Sequence, residues 1–212
     1  MGADKRFTEL AGKPVLLHAV EAFAACTAID EIIVVTSPDA VGRIEAWQSA
    51  CPKLSKIVEG GAERHLSVYR GLEALSPETD LVAVHDGARP LVTPSLITRC
   101  TEAAAAHGAA ACARPLTDTV KRANADGTAG ESVDRAGLWA METPQVARAS
   151  LLRSAYEAVL AENLLVTDEV SALQHMGESV MLVENPDPNI KITFPADLAL
   201  AEAILNARSS VQ

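Results

Sequence analysis

Hydrophobic positions fall in short blocks whose period switches between helical and extended. Pro14 opens an amphipathic stretch that predicts a helix to about Cys26. Glu31-Ile-Ile-Val-Val-Thr-Ser37 reads as a strand, ended by Ser37-Pro38. A helix is expected from Asp39 to Ala50, with Trp47 in the core, then a short strand at Lys56-Ile-Val-Glu59 running into Gly60-Gly61. The period returns to helical from about Glu63 to Leu75. Leu81-Val-Ala-Val84 is apolar without alternation, the pattern of a strand buried on both faces of a parallel sheet. Thr93-Pro94 has the form of an N-cap followed by proline at the first helical position, so a helix should run from Pro94 to His107. Ala109-Ala-Ala-Cys-Ala113 follows as a small-residue strand. Strands and helices alternate this far, which implies parallel βαβ units with right-handed crossovers.

The alternation breaks between Arg114 and Gln145. Thr117–Arg122 and Leu138–Met141 read as two strands, with the turn-rich Asn124–Gly130 between them. A long two-stranded ribbon is marginal alone and needs another surface. A second copy of the chain is the economical choice; folding back on its own domain is the other. Helical period resumes over Ser150–Ala161. Thr167-Asp-Glu169 should start a further helix, with a capping hydroxyl and acids in its first turn. Ser179–Glu184 is a strand, and Asn189-Ile-Lys-Ile-Thr193 leads to a last helix from Pro195 to about Arg208. The whole, residues 1–212, reads as one α/β domain, a mostly parallel sheet flanked by helices.

Composition narrows the partners. The core must be Ala, Val, Leu and Ile, because 49% of residues are hydrophobic but only 3% aromatic. A net charge of −10 argues against a general nucleic-acid surface or an acidic membrane as partner, though not against one phosphorylated small ligand held by local cations. The four cysteines (26, 51, 100, 112) are widely spaced, as reduced and mostly buried thiols of a cytoplasmic protein would be. No run of about 18 apolar residues predicts a membrane span, and the polar start is unlike a secretory signal.

Positive charge is scarce, so its placement is informative. Asp86 stands where the Leu81 strand ends, the edge at which open α/β sheets bind ligands. Lys5, Arg6, Arg64, Arg89, Lys121, Arg122, Arg135 and Lys191 are spread over separated segments. A strand-end carboxylate with several cations suits phosphoryl or nucleotidyl transfer, the acid holding Mg²⁺ and the cations neutralising phosphate oxygens. Each piece has a plainer reading: Asp86 a turn-former with Arg89 its surface partner, Gly60-Gly61 a simple turn, Lys191 a solvated strand residue.

Seven segments, in order, resemble one family. They are Glu59-Gly-Gly-Ala-Glu-Arg64 with Ser67-Val68; His85-Asp-Gly-Ala-Arg-Pro90; Asp118-Thr-Val-Lys-Arg122; Val133-Asp-Arg-Ala-Gly-Leu-Trp139; Thr143-Pro-Gln145; Thr167-Asp-Glu169; and Asn189-Ile-Lys-Ile-Thr193. From Lys5 to about Ala203 the chain is similar to the 2-C-methyl-D-erythritol 4-phosphate cytidylyltransferases of the non-mevalonate isoprenoid pathway. The resemblance implies a Rossmann-like nucleotidyltransferase fold and a homodimer clasped by a protruding β-arm at about residues 115–145. It implies CTP, methylerythritol phosphate and a divalent metal, normally Mg²⁺, with the substrate oxygen attacking the α-phosphorus and pyrophosphate leaving. By position, Asp86 matches the metal and substrate carboxylate. Lys5 and Lys191 match the lysines that stabilise the α-phosphate. Gly61, Ala62, Ser67 and Gly87 match positions that hold the cytidine part. Arg89 and Thr167 match the rim of the methylerythritol phosphate site. Thr119 and Arg135 match residues that cross from the partner's arm to the substrate phosphate.

The family also opens with an apolar central strand and a Gly-rich loop carrying an arginine, which wraps the triphosphate. Met1-Gly-Ala-Asp-Lys-Arg-Phe fits the end of that loop, so the full product is expected to start upstream. Without that strand, its neighbours in the sheet would carry unpaired backbone groups. The alternatives are a cytidylyltransferase for another polyol phosphate, such as ribitol 5-phosphate, or a non-catalytic nucleotide-binding dimer.

Overall fold

The computed structural model describes residues 5–210; Met1–Asp4, on which the expectation of an upstream start rests, lie outside them. A short hairpin of β1 (Glu9–Leu10) and β2 (Lys13–Pro14) turns through Ala11 and Gly12, both at positive φ, and leads into α1 (Val15–Ala25). β3 (Ile32–Thr36), α2 (Val41–Gln48), β4 (Leu54–Glu59) and α3 (Arg64–Glu73) follow, then β5 (Leu81–Val84), α4 (Pro94–His107) and β6 (Ala109–Pro115). The second half is β7 (Val120–Ala123), β8 (Ala129–Val133), β9 (Trp139–Arg148), α5 (Ala149–Ala161), α6 (Glu169–His175), β10 (Met181–Glu184) and α7 (Pro195–Ser209). The α4 bounds are those read from the sequence, and Thr93 caps it as expected: its hydroxyl accepts from Leu96 N at 3.2 Å. The α6 cap differs. Asp168, not Thr167, is the N-cap, its Oδ1 accepting from Ser171 N at 2.9 Å.

The main sheet has the order β10-β6-β9-β5, and β3-β4 forms a separate parallel pair. The main sheet is mixed, not mostly parallel. β10 and β6 run parallel, but β9 lies between β6 and β5 antiparallel to both. The strand expected to end at Met141 continues to Arg148, and residues 142–147 are all buried. Leu138–Met141 is therefore not the partner of Thr117–Arg122. β7 pairs instead with β8, whose polar residues carry no strand signal, and the pair projects as a largely exposed ribbon.

Helices cover both faces of the main sheet. Phe23 of α1 and Ile97, Cys100 and Ala104 of α4 pack on one face with Ala110, Cys112 and Val146. Leu72 of α3, Leu152, Tyr156 and Val159 of α5 and Leu173 of α6 pack on the other with Ala109 and Ala147. The alanine run of β6 is a poor strand former by propensity, but all five residues from Ala109 to Ala113 are buried in a strand paired on both sides. Tertiary packing overrides the propensity, and the small side chains let helices approach closely. All four cysteines are free and buried.

β5 departs from the doubly buried strand expected of it. Among the described residues it pairs only with β9, and its four residues are half-buried. Its other edge faces β3, which among the described residues pairs only with β4, across a cavity of about 1010 Å³. Leu16 and Phe23 of α1 close one side of this cavity, and Val68 and Leu72 of α3 the other. The cavity runs along the strands to their carboxyl ends, where Asp86 stands.

The Thr93 cap gives a direct test of helix α4. Thr93→Ala should lower unfolding free energy by about 1 kcal/mol in urea denaturation, with turnover unchanged.

Candidate active site

Register brings the site together. β5 pairs with β9 from Leu81↔Arg148 to Val84↔Gln145, so two steps further on Asp86 lies opposite Thr143. There the Asp86 N–H donates to Thr143 Oγ1 at 3.1 Å. The Thr143 hydroxyl is 2.9 Å from His85 Nδ1, and His85 Nε2 is 3.1 Å from the Arg89 carbonyl. A carbonyl only accepts, so Nε2 carries the proton and Nδ1 accepts from the hydroxyl. This arrangement needs neutral His85. Burial supplies that, pushing its pKa down to about 4. The turn from His85 to Arg89 is thereby held at both ends, and Arg89 N donates to Asp86 O at 2.9 Å.

Three cations face the Asp86 carboxylate, whose side chain is only 14% exposed. Lys191 Nζ is 2.9 Å from Oδ2, Arg64 Nε 3.3 Å from Oδ1, and Arg89 Nε 3.5 Å from Oδ2. Arg89 Nε makes no hydrogen bond there, so its contribution is the charge alone. Burial by itself would push the Asp86 carboxyl up, but Lys191, then Arg64 and Arg89, hold it below the ordinary carboxylate range. Near neutral pH Asp86 is thus an anion, balanced by the three cations.

Each cation arrives from a different segment. Arg64 opens α3 directly after the Gly60-Gly61 turn. That turn has no room for larger residues: a Cβ on Gly61 would lie 2.4 Å from Leu66 Cβ. Ser67 closes it, accepting from Gly61 N at 3.0 Å and lying within 3.1 Å of the Glu63 carbonyl. The Arg64 guanidinium also grips Glu169 of α6 at 2.7 and 3.1 Å, a bidentate pair completed by Tyr156 OH at 2.9 Å. Burial works against the Arg64 charge, but Glu169 and Asp86 more than offset it and keep it protonated. Lys191 lies in the strap between β10 and α7, and Lys5 joins the same strap, its Nζ 3.4 Å from the Thr193 carbonyl.

Asp86, Gly87, Arg89 and Lys191 thus lie together, and Gly61 and Ser67 stand at the neighbouring strand end with Ala62 exposed between them; Lys5 contacts the strap two residues beyond Lys191, with no described contact to Asp86. Gly87 is a close approach: a Cβ there would meet Leu16 Cδ1 at 2.8 Å. Thr167 is exposed beside the Asp168 cap, its hydroxyl 3.4 Å from Ser171 Oγ and not directed at Asp86 by any described contact. Thr119 and Arg135 are exposed on the ribbon, where Arg135 Nη1 donates to the Thr117 carbonyl. Within one chain nothing described joins them to Asp86. Sequence reasoning counts Arg64 only among the scarce cations that could neutralise phosphate, and assigns no role to His85, Thr143 or Glu169. Their signal is present: all four lie in the quoted motifs, and the rarity of cations makes Arg64 a candidate partner for any buried acid.

The sequence pattern that defines the 2-C-methyl-D-erythritol 4-phosphate cytidylyltransferase family matches residues 1–207. Among curated relatives, the enzyme of that name from Ralstonia nicotianae is 42% identical, over 98% of this chain and 87% of its own. That from Chromobacterium violaceum is 44% identical, over 97% and 91%. The crystal structure of the Thermus thermophilus enzyme of the same name superposes with a TM-score of 0.84 at 35% identity, covering 95% of this chain and 94% of its own. The 4-diphosphocytidyl-2C-methyl-D-erythritol synthase of Anaerococcus prevotii gives 0.84 at 31%, covering 93% and 88%.

The neutral, largely desolvated imidazole of His85 makes stability pH-dependent. His85 titrates near 6.5 when unfolded and near 4 when folded, so the unfolded chain binds the extra proton between those values. Its contribution is complete above pH 6.5 and falls as pH drops toward 4, by an amount on the order of 3 kcal/mol. Urea midpoints should therefore decline from pH 7 to pH 4.5. The decline should be shallower in His85→Gln, which has no titrating group there.

Proposed function

The chain belongs to the 2-C-methyl-D-erythritol 4-phosphate cytidylyltransferase family, and from that membership we infer how its site works. It transfers a cytidylyl group from CTP to 2-C-methyl-D-erythritol 4-phosphate, giving 4-diphosphocytidyl-2-C-methyl-D-erythritol and pyrophosphate, a step of isoprenoid precursor biosynthesis. The observation that supports the reading most is the convergence of Lys191, Arg64 and Arg89 on one strand-end carboxylate. Attack of the substrate phosphate oxygen on the α-phosphorus crowds negative charge onto the α-phosphate. Lys191, on the strap, and Lys5, which reaches the strap at the Thr193 carbonyl, are the donors we assign to that charge. Prepositioned cations in a partly dehydrated cleft stabilise it without reorganising at the moment of reaction. The Gly60-Gly61 turn, with Ala62 and Ser67, and Gly87 are assigned to the cytidine part; Gly60, Gly61, Ser67 and Gly87 line the cavity at the strand ends. Arg89 and Thr167 are assigned to the rim of the methylerythritol phosphate site.

Asp86 is the residue we assign to Mg²⁺. Among the described residues no three acidic, His or Cys side chains cluster as a protein-only metal site. A single carboxylate fits a metal that takes most of its oxygens from phosphates and water, as Mg²⁺ does. When bound, the metal would neutralise part of the triphosphate charge. Lys191, with Arg64 and Arg89, keeps Asp86 ionised for this role, and Arg64 ties it to α6 through Glu169.

We further read the fold as a Rossmann-like nucleotidyltransferase and the β7–β8 ribbon as an arm that clasps a second copy. Two features favour this. The ribbon is largely exposed, with little surface of its own chain to rest on, and no described contact joins Thr119 or Arg135 to their own Asp86. In this reading they complete the partner's site. The buried thiols are in keeping with a reducing cytoplasm.

Pyrophosphate release with CTP, Mg²⁺ and methylerythritol phosphate tests the assignments. Lys191→Ala should cost about 10²- to 10³-fold in kcat. Arg135→Ala should raise KM for methylerythritol phosphate more than KM for CTP. Mixing the two impaired variants should restore activity, because mixed dimers contain one site with both residues intact; failure to complement would remove the cross-subunit role. Ribitol 5-phosphate in the same assay should be turned over poorly.

A further inference from the structure

Glu142 lies next to Thr143 on β9 and is 6% exposed, a buried carboxylate that the chemistry above does not use. Three donors converge on one of its oxygens. Asn185 Nδ2 reaches Oε2 at 3.1 Å, Asn189 Nδ2 at 3.2 Å and Cys112 Sγ at 3.4 Å. Arg114, itself mostly exposed, places its Nε 3.4 Å from Oε1. Both asparagines are buried, at 4% and 2% exposure, and both belong to the strap that carries Lys191.

That strap has no helix or strand between Glu184 and Pro195, so no backbone ladder fixes its course. Its anchors are individual contacts. Asn185 N donates to the Ala113 carbonyl at 2.9 Å, and Ile192 N to the Ala88 carbonyl at 2.7 Å. Asn189 adds three contacts: its amide donates to Glu142 and, at 2.8 Å, to the Thr143 carbonyl, while its own backbone carbonyl accepts from Arg89 Nη1 at 2.8 Å. Lys191 follows two residues later and meets Asp86 at 2.9 Å. Adjacent residues of β9 therefore hold the two halves of the site, Thr143 the Asp86 turn and Glu142 the Lys191 strap.

We propose that Glu142 is a positioning residue that sets the Lys191 ammonium against Asp86 through Asn185 and Asn189. A buried carboxylate is costly unless fully bonded. Three donors gathered on one oxygen make it a strong and directional anchor for a segment that no ladder holds. The proposal rests on the reading of Lys191 as the α-phosphate donor.

The experiment is a double-mutant cycle on kcat, with KM for CTP and for methylerythritol phosphate measured alongside. Glu142→Ala should lower kcat by about tenfold to a hundredfold, the scale of a displaced catalytic group, with KM for CTP little changed. In a Lys191→Ala background the same substitution should cost nothing further, because the group it positions is gone. Asn185→Ala, which leaves the carboxylate and Asn189 in place, should show the same coupling at smaller amplitude and carries the test if Glu142→Ala fails to fold. Loss by the same factor in both backgrounds, or a raised KM for CTP with kcat unchanged, overturns the inference and leaves Glu142 a general stabiliser. If Lys191→Ala is itself harmless, the assignment of Lys191 fails instead, and the two failures are told apart.

Discussion

One carboxylate, Asp86, organises the site. Lys191, Arg64 and Arg89 come from a strap near the end of the chain, the first turn of a helix and a turn three residues on. Like charges so close repel, and without the anion at their centre they would separate. The anion in turn would be costly to bury without them. The arrangement is mutually dependent, and its outer supports are also polar and buried: Glu169 and Tyr156 behind Arg64, the Arg89 carbonyl and Thr143 around His85. Removing Asp86 would leave three cations without their shared anion, and removing Arg64 would take a partner from both Asp86 and Glu169.

The strand that makes this possible is β9. It runs antiparallel between β6 and β5 and carries Glu142, Thr143 and Gln145 in its buried half. Gln145 accepts from Val170 N and donates to Asp168, fixing the start of α6 and with it Glu169. Three polar side chains within four residues thus reach the Asp86 turn, the Lys191 strap and α6. A buried strand with so many polar groups keeps its register, because a slip by one residue would orphan all of them.

Much of this is legible in the sequence, and the rest is not for identifiable reasons. Helix α4 can be read to the residue because Thr93-Pro94 is a strong local start and Gly108 a strong stop, with positive φ at 91°. Asp86 and the separated cations are legible because charge is scarce and strand ends are where ligands bind. The inner half of β9 is not, because Glu142, Thr143 and Gln145 look like a polar loop until the network that satisfies them is known. β8 escapes notice because an exposed ribbon strand has no buried face and so no apolar alternation. Arg64 is visible, but its double grip on Asp86 and Glu169 spans 105 residues of sequence and has no local signature.

The setting of the cationic cleft has a consequence for encounter. The chain carries a net charge of −10, while the cleft presents three cations around a single acid. A triphosphate approaching from solution is repelled by the whole molecule and attracted only near the cleft mouth. At about 0.1 M ionic strength, screening reduces interactions beyond about 10 Å, which is the range of the repulsion, more than the short contacts at the cleft. Moderate salt therefore eases capture of the nucleotide while loosening its retention. The two effects oppose one another, so the overall association is less sensitive to salt than a site of this polarity on a basic protein would be.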